Sequence, residues 1–191
     1  MNKTKRRLTL VSVLVTLITV VLSESPFMLI LAYIIHEAGH IVFAKAVGAE
    51  IVKFRGDMFH LSMSYSMEGL SYKKEALIYS GGIIFNVIFA ALSLMCEGGI
   101  KDTPSPFFVF NLSLALMNLY PVSILDGGGI MKSLLNTKLN QETTEKISFG
   151  VSFLFALIMW LVAVYLQIIF QSNFSLLFIS ILLLIQLCFS I

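Results

Sequence analysis

Apolar residues gather into runs set apart by short polar or turn-forming segments: Leu8 to Leu22, Pro26 to Val47, Glu75 to Cys96, Pro106 to Tyr120, Ile147 to Phe170 and Phe174 to Ile191. Runs of this kind bounded by turn signals predict helices, and a helix of about 20 apolar residues crosses the hydrocarbon core of a bilayer. No charged residue lies between Ile147 and Ile191, and Gln171-Ser172-Asn173 is the natural turn between two spans there. The pattern predicts about six transmembrane helices. The first run is short, and its basic prefix Lys3-Thr4-Lys5-Arg6-Arg7 also suits a signal peptide with a weak cleavage site at Val21-Leu22-Ser23. The lack of a small-residue cleavage box favours a retained helix.

A second periodicity occupies the gap between the second and third runs. Phe59, Leu61, Met63, Tyr65 and Met67 alternate with His60, Ser62, Ser64, Ser66 and Glu68, the period of a strand. Ala49 to Arg55 is its pairing partner, with Arg55-Gly56-Asp57-Met58 as the turn of a small hairpin. An exposed hairpin edge there can hold an extended peptide by strand addition; a simple amphipathic surface hairpin is the equal alternative.

Composition agrees with the pattern. Hydrophobic residues make up 58% of the 191 positions and charged residues 13%, and the mean hydropathy is +0.91. The expected class is an all-α polytopic membrane protein, a single integral membrane domain over residues 1–191 with the hairpin near the cytoplasmic side. No soluble stretch is long enough for an appended domain of even about 50 residues. Lys and Arg favour the cytoplasmic side of bacterial-type membranes. With the N-terminus inside, every Lys and Arg except Lys101 falls on or near the inner face, as expected of a multi-pass protein in a prokaryotic cell membrane. The formal charge of +2 then reflects topology. Nucleic acid is not an expected partner, because no basic stretch is interleaved with exposed aromatics.

Candidate chemistry sits inside the second run as His36-Glu37-Ala38-Gly39-His40. Ionisable side chains at membrane depth are costly and tend to be functional. Two histidines four apart share one helix face and can grip one metal ion, and the glutamate beside them can take a proton from water. The alternative is a polar cluster that hydrogen-bonds across membrane helices, which has no reason to choose this spacing. His40 lies roughly 10 Å from the inner end of its helix, so the site is expected to open to the cytoplasm. His60 has no partner at ligand spacing and is read as a solvated residue. Cys96 and Cys188 are not expected to pair.

A third ligand has a candidate in the stretch Asn118-Leu119-Tyr120-Pro121-Val122-Ser123-Ile124-Leu125-Asp126-Gly127-Gly128-Gly129. Pro121 removes a backbone donor and breaks the fourth helix, and the three glycines permit turns closed to other residues. Asp126 is thereby presented at membrane depth, either as a carboxylate ligand beside His36 and His40 or as a helix cap.

HExxH on one membrane helix with NxxPxxxLDG on a later one resembles the site-2 protease family of intramembrane zinc metalloproteases, peptidase family M50. The resemblance covers roughly Pro26 to Leu135, so residues 26–135 are expected to form a three-helix catalytic core and residues 147–191 a C-terminal pair of helices. It implies that His36, His40 and Asp126 bind one zinc ion and that Glu37 is the catalytic base. Gly82-Ile83-Ile84-Phe85-Asn86 resembles the family's GxxxN element. The chain departs from the family in carrying Val122-Ser123-Ile124 where many relatives have a proline-rich stretch, and Gly129 where they have a basic residue. What the resemblance implies is cleavage, in or near a transmembrane segment, of a membrane protein substrate that must unwind locally. Asn86 and Asn118 are candidates to contact the substrate or the oxyanion, or else to satisfy carbonyls of broken helices. Regulation would then come through a regulatory membrane partner or homo-oligomer, or through substrate supply. Two other readings stand beside this one: a zinc-binding membrane scaffold without turnover, and a small transporter using His36, Glu37 and Asp126 as a polar relay. The intact Glu37 argues against the first and the lack of internal repeats against the second.

Overall fold

The computed structural model describes residues 25–49, 51–57, 60–65, 69–96, 103–170 and 175–189. The run Leu8 to Leu22, Phe59 and the turn at Gln171 to Asn173 lie outside them. The chain divides into two compact units, Met1–Met117 and Asn118–Ile191.

The first unit opens with α1, Pro26–Ala46. Proline at its first position costs no hydrogen bond, and the Ser25 carbonyl accepts the amides of Met28 and Leu29 at 3.1 and 3.2 Å. Gly48 ends the helix at φ +79°, a left-handed conformation in which the Ala49 amide reaches the Ala44 carbonyl at 2.9 Å and that of Gly48 reaches Lys45 at 3.1 Å. Strands β1, Ile51–Asp57, and β2, His60–Tyr65, pair antiparallel with Asp57 opposite His60 and Gly56 opposite Leu61. Arg55, Gly56 and Asp57, expected in the turn, lie in β1 instead. Their turn propensity marks where reversal is allowed, and ladder pairing carried to Asp57 moves the reversal further along.

Helix α2, Tyr72–Cys96, packs on α1. The seam is built from small residues: a Cβ placed on Gly81 would stand 2.6 Å from the Gly39 carbonyl oxygen, and one on Gly39 would strike the Gly81 carbonyl. Small side chains at such a crossing let two membrane helices approach backbone to backbone. Helix α3, Pro106–Asn118, follows. The Ser105 hydroxyl accepts the Phe108 amide at 3.3 Å and meets the Ser93 hydroxyl of α2 at 3.1 Å.

The second unit contains α4, Asp126–Asn136, α5, Gln141–Phe170, and α6, Ser175–Phe189. Its core is Val122 with Ala156 and Met159 of α5 and Leu183 and Leu187 of α6. The Ser152 hydroxyl of α5 accepts the Ser123 amide at 2.9 Å and donates to the Pro121 carbonyl at 3.4 Å, holding the link that leads into α4.

Two expectations change here. The glycine run was expected to be a turn, but Gly127 to Gly129 form the first turn of α4, and positive φ among the described glycines occurs at Gly48 and Gly69. The reason is proximity, because a Cβ on Gly127 would strike the Leu119 and Tyr120 carbonyls and one on Gly128 the Val122 carbonyl. The fifth run also starts earlier than its apolar edge, since Asn140 caps the helix at the Thr143 amide, 2.9 Å away, and draws Gln141 to Lys146 into α5.

Among the described residues three helices are long and apolar enough to cross a bilayer: Pro26–Ala46, Tyr72–Cys96 and Gln141–Ile169. Pro106–Asn118 and Leu176–Ile185 are shorter apolar helices, so of the five expected spans within the described residues three are full-length helices and two are short. Large side chains on their outer faces, including Ile34, Val42, Ile88, Leu161 and Ile168, are exposed, as a lipid-facing surface requires.

Candidate metal centre

His36 and His40 lie one turn apart on the face of α1 turned to α2, and both are buried. Each ring is held by its Nδ1 atom. His40 Nδ1 lies 2.8 Å from the Ile78 carbonyl oxygen, which can only accept, so that nitrogen carries the ring proton. His36 Nδ1 lies 2.8 Å from Asn86 Oδ1. The Asn86 amide is oriented by its other end, where Nδ2 donates to the Ala32 carbonyl at 3.2 Å and to Asn111 Oδ1 at 3.0 Å. A carbonyl acceptor at Ala32 fixes which end is nitrogen, so Oδ1 accepts the proton of His36 Nδ1.

Nε2 is then the atom each ring can offer to a metal, and the two Nε2 atoms lie 3.2 Å apart. Two nitrogens about 2.0–2.1 Å from one tetrahedral zinc stand about 3.3 Å apart, so the pair fits such an ion. The rings meet edge to face, with centroids 4.8 Å apart and planes at 84°. Gly82 of α2 clears the space beside them, since a Cβ there would sit 2.6 Å from His36 Cε1 and from His40 Nε2.

Glu37, next to His36 on α1, is half-buried. Asp126, half-buried, is the first residue of α4 in the second unit, where the helix N-terminus favours a carboxylate. Asn118, also half-buried, is the last residue of α3. Asn86 is fully buried, with both hydrogens of its amide nitrogen given to Ala32 and Asn111. Its Oδ1 is the partner of His36 Nδ1. Asn111, fully buried in α3, is not among the residues that the sequence pattern singles out; its place as an amide within the apolar run Pro106 to Tyr120 was the available signal. Cys96 and Cys188 are exposed free thiols.

Comparison with known proteins follows the same lines. The profile of Peptidase family M50 matches residues 95–159, a segment that includes Asn118 and Asp126. Among solved structures, the site-2 protease from Methanocaldococcus jannaschii superposes with a TM-score of 0.59 at 20% identity, covering 94% of this chain and 86% of that one. At that identity the superposition speaks for a shared fold. No curated protein matches. The resemblance to the site-2 protease family is thus present in a sequence profile over part of the chain and in the fold, beside three described helices long and apolar enough to cross a membrane.

Proposed function

We propose that the protein is an intramembrane zinc metalloprotease that hydrolyses a peptide bond in or near a transmembrane segment of another membrane protein. The observation that carries this reading is the pair of Nε2 atoms converging at 3.2 Å while each Nδ1 atom is held by a partner elsewhere. Asp126 is the third ligand in this reading, a carboxylate at the start of α4 in the LDG sequence that resembles the family's. The set of two imidazoles and one carboxylate suits a catalytic zinc, which keeps a fourth position open. Residues 26–135 form the catalytic core in this reading.

Zinc, when bound, supplies Lewis acidity, polarising a carbonyl and acidifying water. Glu37 accepts the proton of the attacking water and returns it to the departing amine, one carboxylate serving first as base and then as acid. Asn86 and the Ile78 carbonyl each accept at Nδ1, which orients the two rings and leaves Nε2 as the atom each can offer a metal. Asn118, at the end of a helix, is the candidate donor to substrate. A substrate helix hides its scissile carbonyl in its own hydrogen bonds, so helix-weakening residues near the cut are expected. The site opens to the cytoplasmic side, where the basic residues gather, and the hairpin offers a pairing edge near that mouth.

The test is co-expression of the wild type and Glu37→Gln with tagged single-span membrane proteins, with zinc content measured in parallel. The reading expects fragments from the wild type alone and one zinc in both. Zinc in both without cleavage across a broad substrate panel would overturn the proteolytic assignment in favour of a scaffold.

A further inference from the structure

The amide that orients His36 must itself be held. Asn86 could turn its side chain by half a rotation and present its NH2 group to His36 Nδ1, which would move the ring proton to Nε2 and remove the lone pair a metal needs. Two groups oppose that rotation: the Ala32 carbonyl at 3.2 Å and Asn111 Oδ1 at 3.0 Å. Asn111 is oriented in turn, because its Nδ2 donates to the Phe107 carbonyl at 2.8 Å and so directs Oδ1 towards Asn86. Both asparagines are fully buried. The order runs from the Phe107 carbonyl through Asn111 and Asn86 to His36, each step with the donor and acceptor assigned by a backbone carbonyl.

We propose that Asn111 is a positioning residue for the metal centre, setting the protonation site of His36 through Asn86 from a helix that supplies no ligand. This rests on the metal-site reading above. A purely structural role for Asn111, as a hydrogen bond joining α2 and α3, would contribute to stability but leave the His36 ring alone. The two roles therefore differ in what they move.

The experiment compares wild type, Asn111→Leu and Asn111→Asp as full-length protein in detergent. It has two readouts: the zinc dissociation constant by chelator competition, and the ring 15N spectrum of histidine-labelled, zinc-free protein. Outer partners of metal ligands typically set metal affinity by about 10- to 100-fold. With the Ala32 carbonyl still in place, Asn111→Leu is expected to weaken zinc by about tenfold and to spread the His36 proton over both ring nitrogens. Asn111→Asp, neutral when buried, can donate to Phe107 and accept from Asn86 as the native amide does, and is expected to stay near wild type in both readouts. If Asn111→Leu does not fold, Asn111→Ala takes its place with the same readouts. Zinc affinity within twofold of wild type with an unchanged 15N spectrum would overturn the proposal, even if thermal stability falls. If the wild type holds no zinc, the parent reading fails, and the 15N spectra still decide the role of Asn111.

Discussion

Replacing Gly82 by alanine is the smallest change that reaches the histidine pair without altering a donor atom. The added Cβ would lie 2.6 Å from both His36 Cε1 and His40 Nε2 and 2.8 Å from His36 Nδ1, against 3.4 Å for ordinary contact. The rings would have to yield by about 0.8 Å, the difference between 3.4 and 2.6 Å. Neither can do so freely, because each is tied through Nδ1 at 2.8 Å, one to Asn86 and the other to Ile78. Overpacking of one methyl group costs about 1–3 kcal/mol. If that strain is relieved by displacing the imidazoles, zinc affinity falls by about 5- to 150-fold, since each 1.4 kcal/mol is a factor of ten. The assay is chelator competition for zinc, with cleavage of a co-expressed substrate as a second measure. Gly150→Ala is the control: it too replaces a helical glycine, but nothing lies within 4 Å of its added Cβ. Zinc affinity within twofold of wild type in a folded Gly82→Ala protein would refute the claim that this glycine clears space for the ligands.

Three further outcomes follow from the same geometry. Glu37→Gln is expected to abolish cleavage while keeping zinc at wild-type stoichiometry, because general acid–base transfer contributes about 10²–10⁴-fold; metal analysis beside a cleavage assay checks both halves. His40→Ala and Asp126→Asn should both lose zinc and activity, the histidine variant more completely, since amide oxygen remains a weak ligand while alanine offers none; elemental analysis after dialysis against a chelator would show the order. Ser152→Ala removes the acceptor 2.9 Å from the Ser123 amide and is expected to cost about 1 kcal/mol of stability, read as a lower thermal midpoint with zinc content unchanged.

The membrane class, the cores of the long helices and the pair His36 and His40 were legible in the chain because each is a local pattern. Apolar runs are set by solvent transfer, and a four-residue spacing places two rings on one helical face whatever surrounds them. Boundaries were less legible. Asn140 extends α5 through a capping bond that hydropathy does not register, and the strand ladder carries Gly56 and Asp57 into β1 although both are turn formers. The glycines show the limit most clearly. Sequence identifies them as permissive residues, yet Gly39, Gly81, Gly82, Gly127 and Gly128 are needed because carbonyls or imidazoles from elsewhere in the chain occupy the volume of a side chain. The same holds for Asn86 and Asn111. An amide in an apolar helix signals only that a partner is required; packing of α1 against α2, and of Asn86 against Asn111, decides which partner and which end of the amide faces it. Spacing along the chain thus determined which residues could hold a metal ion. The tertiary structure decided which partner each ring meets and through which nitrogen, because a hydrogen bond between distant residues forms only where the fold brings donor and acceptor within about 3 Å.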